Sequence, residues 1–127
     1  MVTSEIDKIL SRIGMPVDYI YPGDETAQHG ILEDRSVFES RYGDVPYWNV
    51  VDLIQFEGEE GKKLECIRIG YYRKKEGQQL NYGSQTTITE TVSGWEKMLV
   101  KAASEKPWFR KLLDKVMREL EKPATQL

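Results

Sequence analysis

Apolar residues near the start of the chain, Ile6, Ile9, Leu10 and Ile13, follow the i, i+3, i+4, i+7 spacing of one helix face. Thr3 and Ser4 offer capping oxygens, Glu5 and Asp7 fall in the first turn, and Gly14 supplies a left-handed stop with Pro16 just beyond. So short a helix is marginal alone, so its apolar stripe must dock on another element. The pattern changes at residue 48. Residues 48–57, 64–74 and 80–90 are rich in β-branched and aromatic side chains and are separated by polar, glycine-containing turns, Gly58-Glu59-Glu60-Gly61 and Lys75-Glu76-Gly77-Gln78. They predict a three-stranded antiparallel meander. The chain ends in two helices. Ser93-Gly94-Trp95-Glu96 matches a capping box and opens a face of Trp95, Met98, Leu99, Ala102 and Ala103. Ser104 then offers a second cap, Pro107 suits a first turn, and Phe109, Leu112, Leu113, Val116 and Leu120 form the second stripe.

Residues 16–47 carry a weaker pattern. Pro22-Gly23-Asp24 signals a turn. Phe38 and Tyr42 stand four apart with Gly43 behind them, which favours a short helix over residues 34–42. Short strands at Ile31-Leu32 and Val37-Phe38 are the competing reading, and they would add a fourth strand to the sheet. The expected fold is therefore α+β: a single domain with a three- to four-stranded antiparallel meander packed against an N-terminal helix and two C-terminal helices.

The strand register follows from where charge can be tolerated. Pairing Asp52 with Arg68 also sets Leu53 opposite Ile67 and Val51 opposite Ile69. A slip of one residue would press Asp52 against Ile67 instead, so the first register is preferred. Centring the second turn on Glu76-Gly77 pairs Gly70 with Gly83, Tyr71 with Tyr82, Ile69 with Ser84 and Arg68 with Gln85. One face then carries Val51, Leu53, Ile67, Ile69, Tyr71, Tyr82 and Ile88 and is the expected bed for the helices. The other carries Trp48, Val50, Ile54, Phe56, Leu64 and Cys66 toward one end, and Asp52, Arg68, Tyr72, Asn81 and Gln85 toward the other. A sheet face left to solvent should be polar throughout, and half of this one is not. Trp48, Ile54, Phe56 and Leu64 are thus candidate interface residues, to be covered by residues 16–47, by a helix or by a second copy of the chain.

Composition narrows the function classes. With 127 residues, 39% hydrophobic and 31% charged, the chain fits one globular domain. A single Cys cannot form an internal disulfide, a single His excludes multi-histidine metal sites, and no apolar run is long enough for a signal peptide or a membrane span. A cytoplasmic protein without metal, cofactor or membrane partner is expected. The net charge of −3 hides a split: residues 1–60 hold four Lys/Arg against thirteen Asp/Glu, and residues 61–127 hold fourteen against eight. A basic half invites a nucleic-acid reading, supported by Tyr71-Tyr72-Arg73-Lys74-Lys75 and by Lys111, Lys115, Arg118 and Lys122 along the last helix. Alternation sends the two tyrosines to opposite faces, however, and a solvated amphipathic helix accounts for the lysines.

The most informative local feature is the Gly70/Gly83 pair. Glycine inside a strand marks a bend or a close approach. One reading is a shallow ligand patch bordered by Arg68, Tyr72, Asn81 and Gln85 around Gly70 and Gly83. The simpler one is a gap over which a large side chain such as Trp48 packs. His29 is the one candidate proton carrier, in a polar stretch with Asp24 and Glu25; no activated nucleophile accompanies it, and Cys66 reads as a small buried hydrophobe. Phosphate-loop, dinucleotide, zinc-protease and serine-elbow motifs are absent. The sequence thus points to a non-enzymatic binding module that self-associates or joins a protein partner. A nucleic-acid binder and a small-molecule protein or small enzyme are the alternatives.

Overall fold

The computed structural model describes residues 4–19, 28–42, 45–57, 61–74, 77, 79–83 and 91–123. The chain divides into two compact units, Met1–Ile88 and Thr89–Leu127. The fold is α+β, with a five-stranded antiparallel curled sheet, one N-terminal helix and two C-terminal helices. The expected turn at Pro22-Gly23-Asp24, the acidic residues Asp24 and Glu25, and residues 84–90 with Gln85 and Ile88 lie outside the described residues.

In the first unit, helix α1 (Glu5–Leu10) starts as expected, with Ser4 Oγ accepting from Asp7 N at 3.1 Å. Gly14 adopts φ 90° and turns the chain into β1 (Pro16–Tyr19). Strands β2 (Gln28–Tyr42), β3 (Val45–Glu57), β4 (Lys63–Arg73) and β5 (Asn81–Gly83) follow in spatial order. The helix expected over residues 34–42 is not formed; those residues belong to β2, a strand of 15 residues. The Phe38/Tyr42 spacing fits a helix, but pairing with β3 satisfies the backbone of β2 along nearly its whole length, with Gly30 opposite Phe56 and Tyr42 opposite Val45. Tertiary pairing outweighs the local periodicity.

The β3–β4 register is the expected one, Asp52 opposite Arg68 and Leu53 opposite Ile67. The β4–β5 register is one residue away from expectation: Tyr72, not Tyr71, stands opposite Tyr82, and Gly83 faces Tyr71. Strand β4 ends at Arg73 and β5 begins at Asn81, so the spacing is longer than the two-residue turn that would dictate parity. The observed offset sets the Tyr72 and Tyr82 rings 4.9 Å apart, a contact contributing about 0.5–1.5 kcal/mol beyond burial. It also moves Asn81 and Gly83 to the sheet face opposite Arg68, Gly70 and Tyr72, so the two glycines do not share one patch.

Helix α1 covers the face opposite to the one expected. Ile9, fully buried, packs with Val37, Trp48 and Val50, flanked by Tyr72, Leu80 and Tyr82. The Val51 side is buried as well, Val51 to 1% and Leu53 to 9% exposure, while Ile67 and Ile69 on that side stay exposed. Lys74 Nζ donates to Glu5 Oε1 at 3.0 Å and ties α1 to the end of β4. That hydrogen bond is the main cause holding the Glu5 carboxyl below its ordinary value, against a smaller opposing effect of burial.

In the second unit, α2 (Val92–Glu105) begins earlier than the capping box suggests: Thr91 Oγ1, not Ser93, accepts the capping hydrogen bond, from Gly94 N at 2.9 Å. Helix α3 (Pro107–Leu120) opens on Pro107 with no side-chain cap, because Ser104 Oγ donates back to Lys101 O inside α2. Met98, Ala102 and Phe109 are the buried positions of the two helices. Among the described residues no helix is long and apolar enough to cross a membrane.

Burial makes Ile9 the anchor of α1. Ile9→Ala is expected to lower unfolding free energy by about 2–5 kcal/mol in urea titrations, whereas Leu64→Ala, at an exposed position, should stay within about 0.5 kcal/mol.

Candidate functional site

Three strands place three charges side by side. Arg35 on β2 stands opposite Asp52 on β3, which stands opposite Arg68 on β4. The first pairing depends on an irregularity in β2. Leu32 faces Ile54, and the ladder then shifts so that Asp34 faces Leu53 and Arg35 faces Asp52. Were Glu33 paired in a regular ladder instead, the register set by Leu32 and Ile54 would place Asp34 against Asp52, two carboxylates together.

Asp52 is fully buried and Arg35 is 2% exposed. Arg35 grips the carboxylate with both edges of its fork, Nε to Oδ1 at 2.6 Å and Nη2 to Oδ2 at 2.9 Å. Its Nη1 donates to Ile9 O of α1 at 3.0 Å and to the Tyr72 hydroxyl at 2.8 Å. Burial works against the Arg35 charge, but the hydrogen bonds and the charge of Asp52 outweigh it, so the guanidinium is held above its ordinary pKa. Arg68 approaches only one oxygen, with Nη2 at 3.1 Å and Nε at 3.4 Å from Asp52 Oδ2. The guanidinium of Arg35 stacks 5.1 Å from the Tyr72 ring centroid and that of Arg68 4.8 Å from that of Tyr82.

Gly70 explains how Tyr82 fits. A Cβ at Gly70 would stand 2.8 Å from Cε2 and 2.9 Å from Cζ of Tyr82, and closer still to its hydroxyl. The gap is filled by Tyr82 rather than by Trp48. The Tyr82 hydroxyl is buried without a hydrogen-bond partner among the described residues. Desolvation of the phenolate is the largest influence on it, and despite the opposing charge of Arg68 the phenol is pushed up to about 12.

Above this floor lies a cavity of about 710 Å³. Lys8, Ser11 and Arg12 line it from α1 and the turn after it, Pro16, Val17 and Asp18 from β1, and Leu32, Arg35, Arg68, Tyr72, Leu80 and Tyr82 from the sheet side. Of the residues expected to bind a ligand, Arg68 and Tyr72 line this cavity, Gly70 lies under Tyr82, and Asn81 and Gly83 belong to the other face. Of the expected interface residues, Trp48 and Ile54 are buried, Phe56 is half-buried and Leu64 is exposed. His29 is outside the cavity. Its Nδ1 lies 2.6 Å from Asp18 Oδ1 at the surface, and it borders a second hollow of about 490 Å³ with Phe56 and Lys63. Cys66 is a free thiol, half-buried opposite Ile54. Among the described residues no group of three or more His, Cys, Asp or Glu could hold a metal ion.

Sequence reasoning missed Arg35, Lys8 and Arg12. A signal for Arg35 was present: a buried aspartate between two strands needs partners on both sides, and Arg68 supplied only one. No family model, curated protein or solved structure was found to match the chain.

Two outcomes test the charge ladder. Arg35→Met strands a fully buried carboxylate and is expected to cost about 3–5 kcal/mol in denaturant titrations, clearly more than Arg68→Met, whose partner keeps its bidentate grip. The Tyr82 phenol sits higher in the folded chain than its ordinary value of 10.0, so the stability it contributes is intact below pH 10 and lost as pH rises toward about 12. Ultraviolet titration should show one tyrosine ionising last, and Tyr82→Phe should remove that step.

Proposed function

We propose that the protein is a non-enzymatic binding module that receives a small molecule in the cleft between α1 and the sheet. The observation that carries this reading is the cavity of about 710 Å³, within the size range of small-molecule sites, floored by a fixed polar network. Arg35, Tyr72 and Arg68 are held by hydrogen bonds and ring contacts before any ligand arrives. Of these, Arg68 and Tyr72 orient a bound molecule without first being ordered, while Arg35 holds Asp52 and Tyr72 in place from beneath. Val17 and Leu80, both half-buried, supply apolar wall for the body of the ligand. Self-association is not part of this reading, because Trp48 and Ile54, two of the residues that motivated it, are buried in the single chain. A cytoplasmic setting belongs to the proposal and suits a chain whose one Cys has no thiol to pair with.

A thermal-shift screen of small organic acids, bases and neutral molecules tests it. At least one chemical class is expected to raise Tm, and Val17→Trp, which fills the cleft from β1, should abolish the rise. No stabilising class, or a rise untouched by Val17→Trp, contradicts the reading.

A further inference from the structure

We infer that the ligand of the cleft carries an oxyanion, a carboxylate or a phosphate on an organic body, seated between Arg68 and the α1-side cations Lys8 and Arg12. The inference rests on reading the cleft as a ligand site and names the chemistry of its occupant.

Charge balance carries it. The floor holds two guanidinium groups over one buried carboxylate, so Arg35, Asp52 and Arg68 together leave one positive charge beneath the cavity. Arg12 and Lys8, the latter with its Nζ 3.6 Å from Glu5 Oε1, bring two further cationic side chains to its wall. Among the described residues Asp18 is the one carboxylate lining the same space, and its Oδ1 lies 2.6 Å from His29 Nδ1. Positive charge gathered around a cleft attracts a counter-charge, and an anion there would accept hydrogen bonds from the cationic side chains.

The two floor arginines are not equivalent. Arg35 spends all three nitrogens on Asp52, Ile9 O and Tyr72, and is almost wholly buried. Arg68 keeps its Nη1 edge outside the Asp52 contact, holds Asp52 at longer distances, and leaves 18% of its side chain exposed. A forked donor of this kind matches the two oxygens of a carboxylate or phosphate. Asp52 acts here as a positioning residue: it fixes the Arg68 plane from below while Tyr82 supports the guanidinium from the side.

Calorimetric titration of the full chain with inorganic phosphate, hexanoate and the neutral analogue hexanol tests the assignment. Phosphate or hexanoate is expected to bind and hexanol not, and the stronger of the two anions identifies the headgroup. Arg68→Gln should weaken that binding about tenfold or more. Arg12→Gln, at an exposed position beyond α1, leaves the fold untouched and should weaken it several-fold, which decides the matter if Arg68→Gln fails to fold. Equal binding of hexanol and hexanoate, or oxyanion binding unaffected by the folded variants, overturns the anion seat and leaves the cleft reading standing. If neither anion nor hexanol binds while other small molecules stabilise the chain in a manner lost on Val17→Trp, the anion seat alone fails. If nothing binds in either experiment, both fail.

Discussion

A carboxylate with no access to water has to be met on every side by donors, and Asp52 imposes that requirement on three strands and a helix. Arg35 must come from β2 and Arg68 from β4, each directly across from it. Arg35 in turn reaches Ile9 O, so α1 is fastened to the same centre, and Tyr72 completes the set. Replacing such a cluster by aliphatic side chains need not reduce stability, since desolvation of the ions offsets much of their attraction. What the cluster contributes is specificity. A one-residue slip of β4 leaves Asp52 buried beside Ile67 or Ile69, and a slip of β2 sets it against Asp34 or Ser36 in place of the guanidinium, which costs several kcal/mol.

The irregularity at Glu33 belongs to the same constraint. It reconciles two demands that a regular strand could not meet together: Leu32 against Ile54 in the apolar part of the face, and Arg35 against Asp52 in the polar part. Gly70 does comparable service on β4. By omitting a side chain it admits Tyr82, whose ring supports Arg68 and packs against Tyr72. The cleft above this surface is therefore a product of register, and its donors are oriented by contacts that also hold the sheet together.

The meander, α1 and the two C-terminal helices were legible because their periodicity is strong and local, and the Asp52–Arg68 pairing because a wrong register would have buried a charge against Ile67. Residues 34–42 were not legible, since Phe38 and Tyr42 satisfy a helical spacing while the residue that decides the matter, Asp52, lies on another strand. From that one misreading came the loss of Arg35 and hence of half the candidate site. The face of Tyr82 is not legible because the number of residues between Arg73 and Asn81 leaves parity open, and the choice is made by the space over Gly70. Lys8 and Arg12 could not be joined to Arg68 from sequence, because nothing local says which sheet face α1 covers.

Arg35 and Asp52 are buried as a coupled pair, each tolerated in the interior because the other meets it, and a double-mutant cycle measures this coupling most directly. Arg35→Ala, Asp52→Ala and the double variant would be unfolded in urea alongside the parent chain. The account expects a coupling energy of about 2–3 kcal/mol, with the double variant far less destabilised than the two single losses added together. Additive losses, with coupling below about 0.5 kcal/mol, would show that the two side chains do not meet as described and would remove the floor from under the cleft.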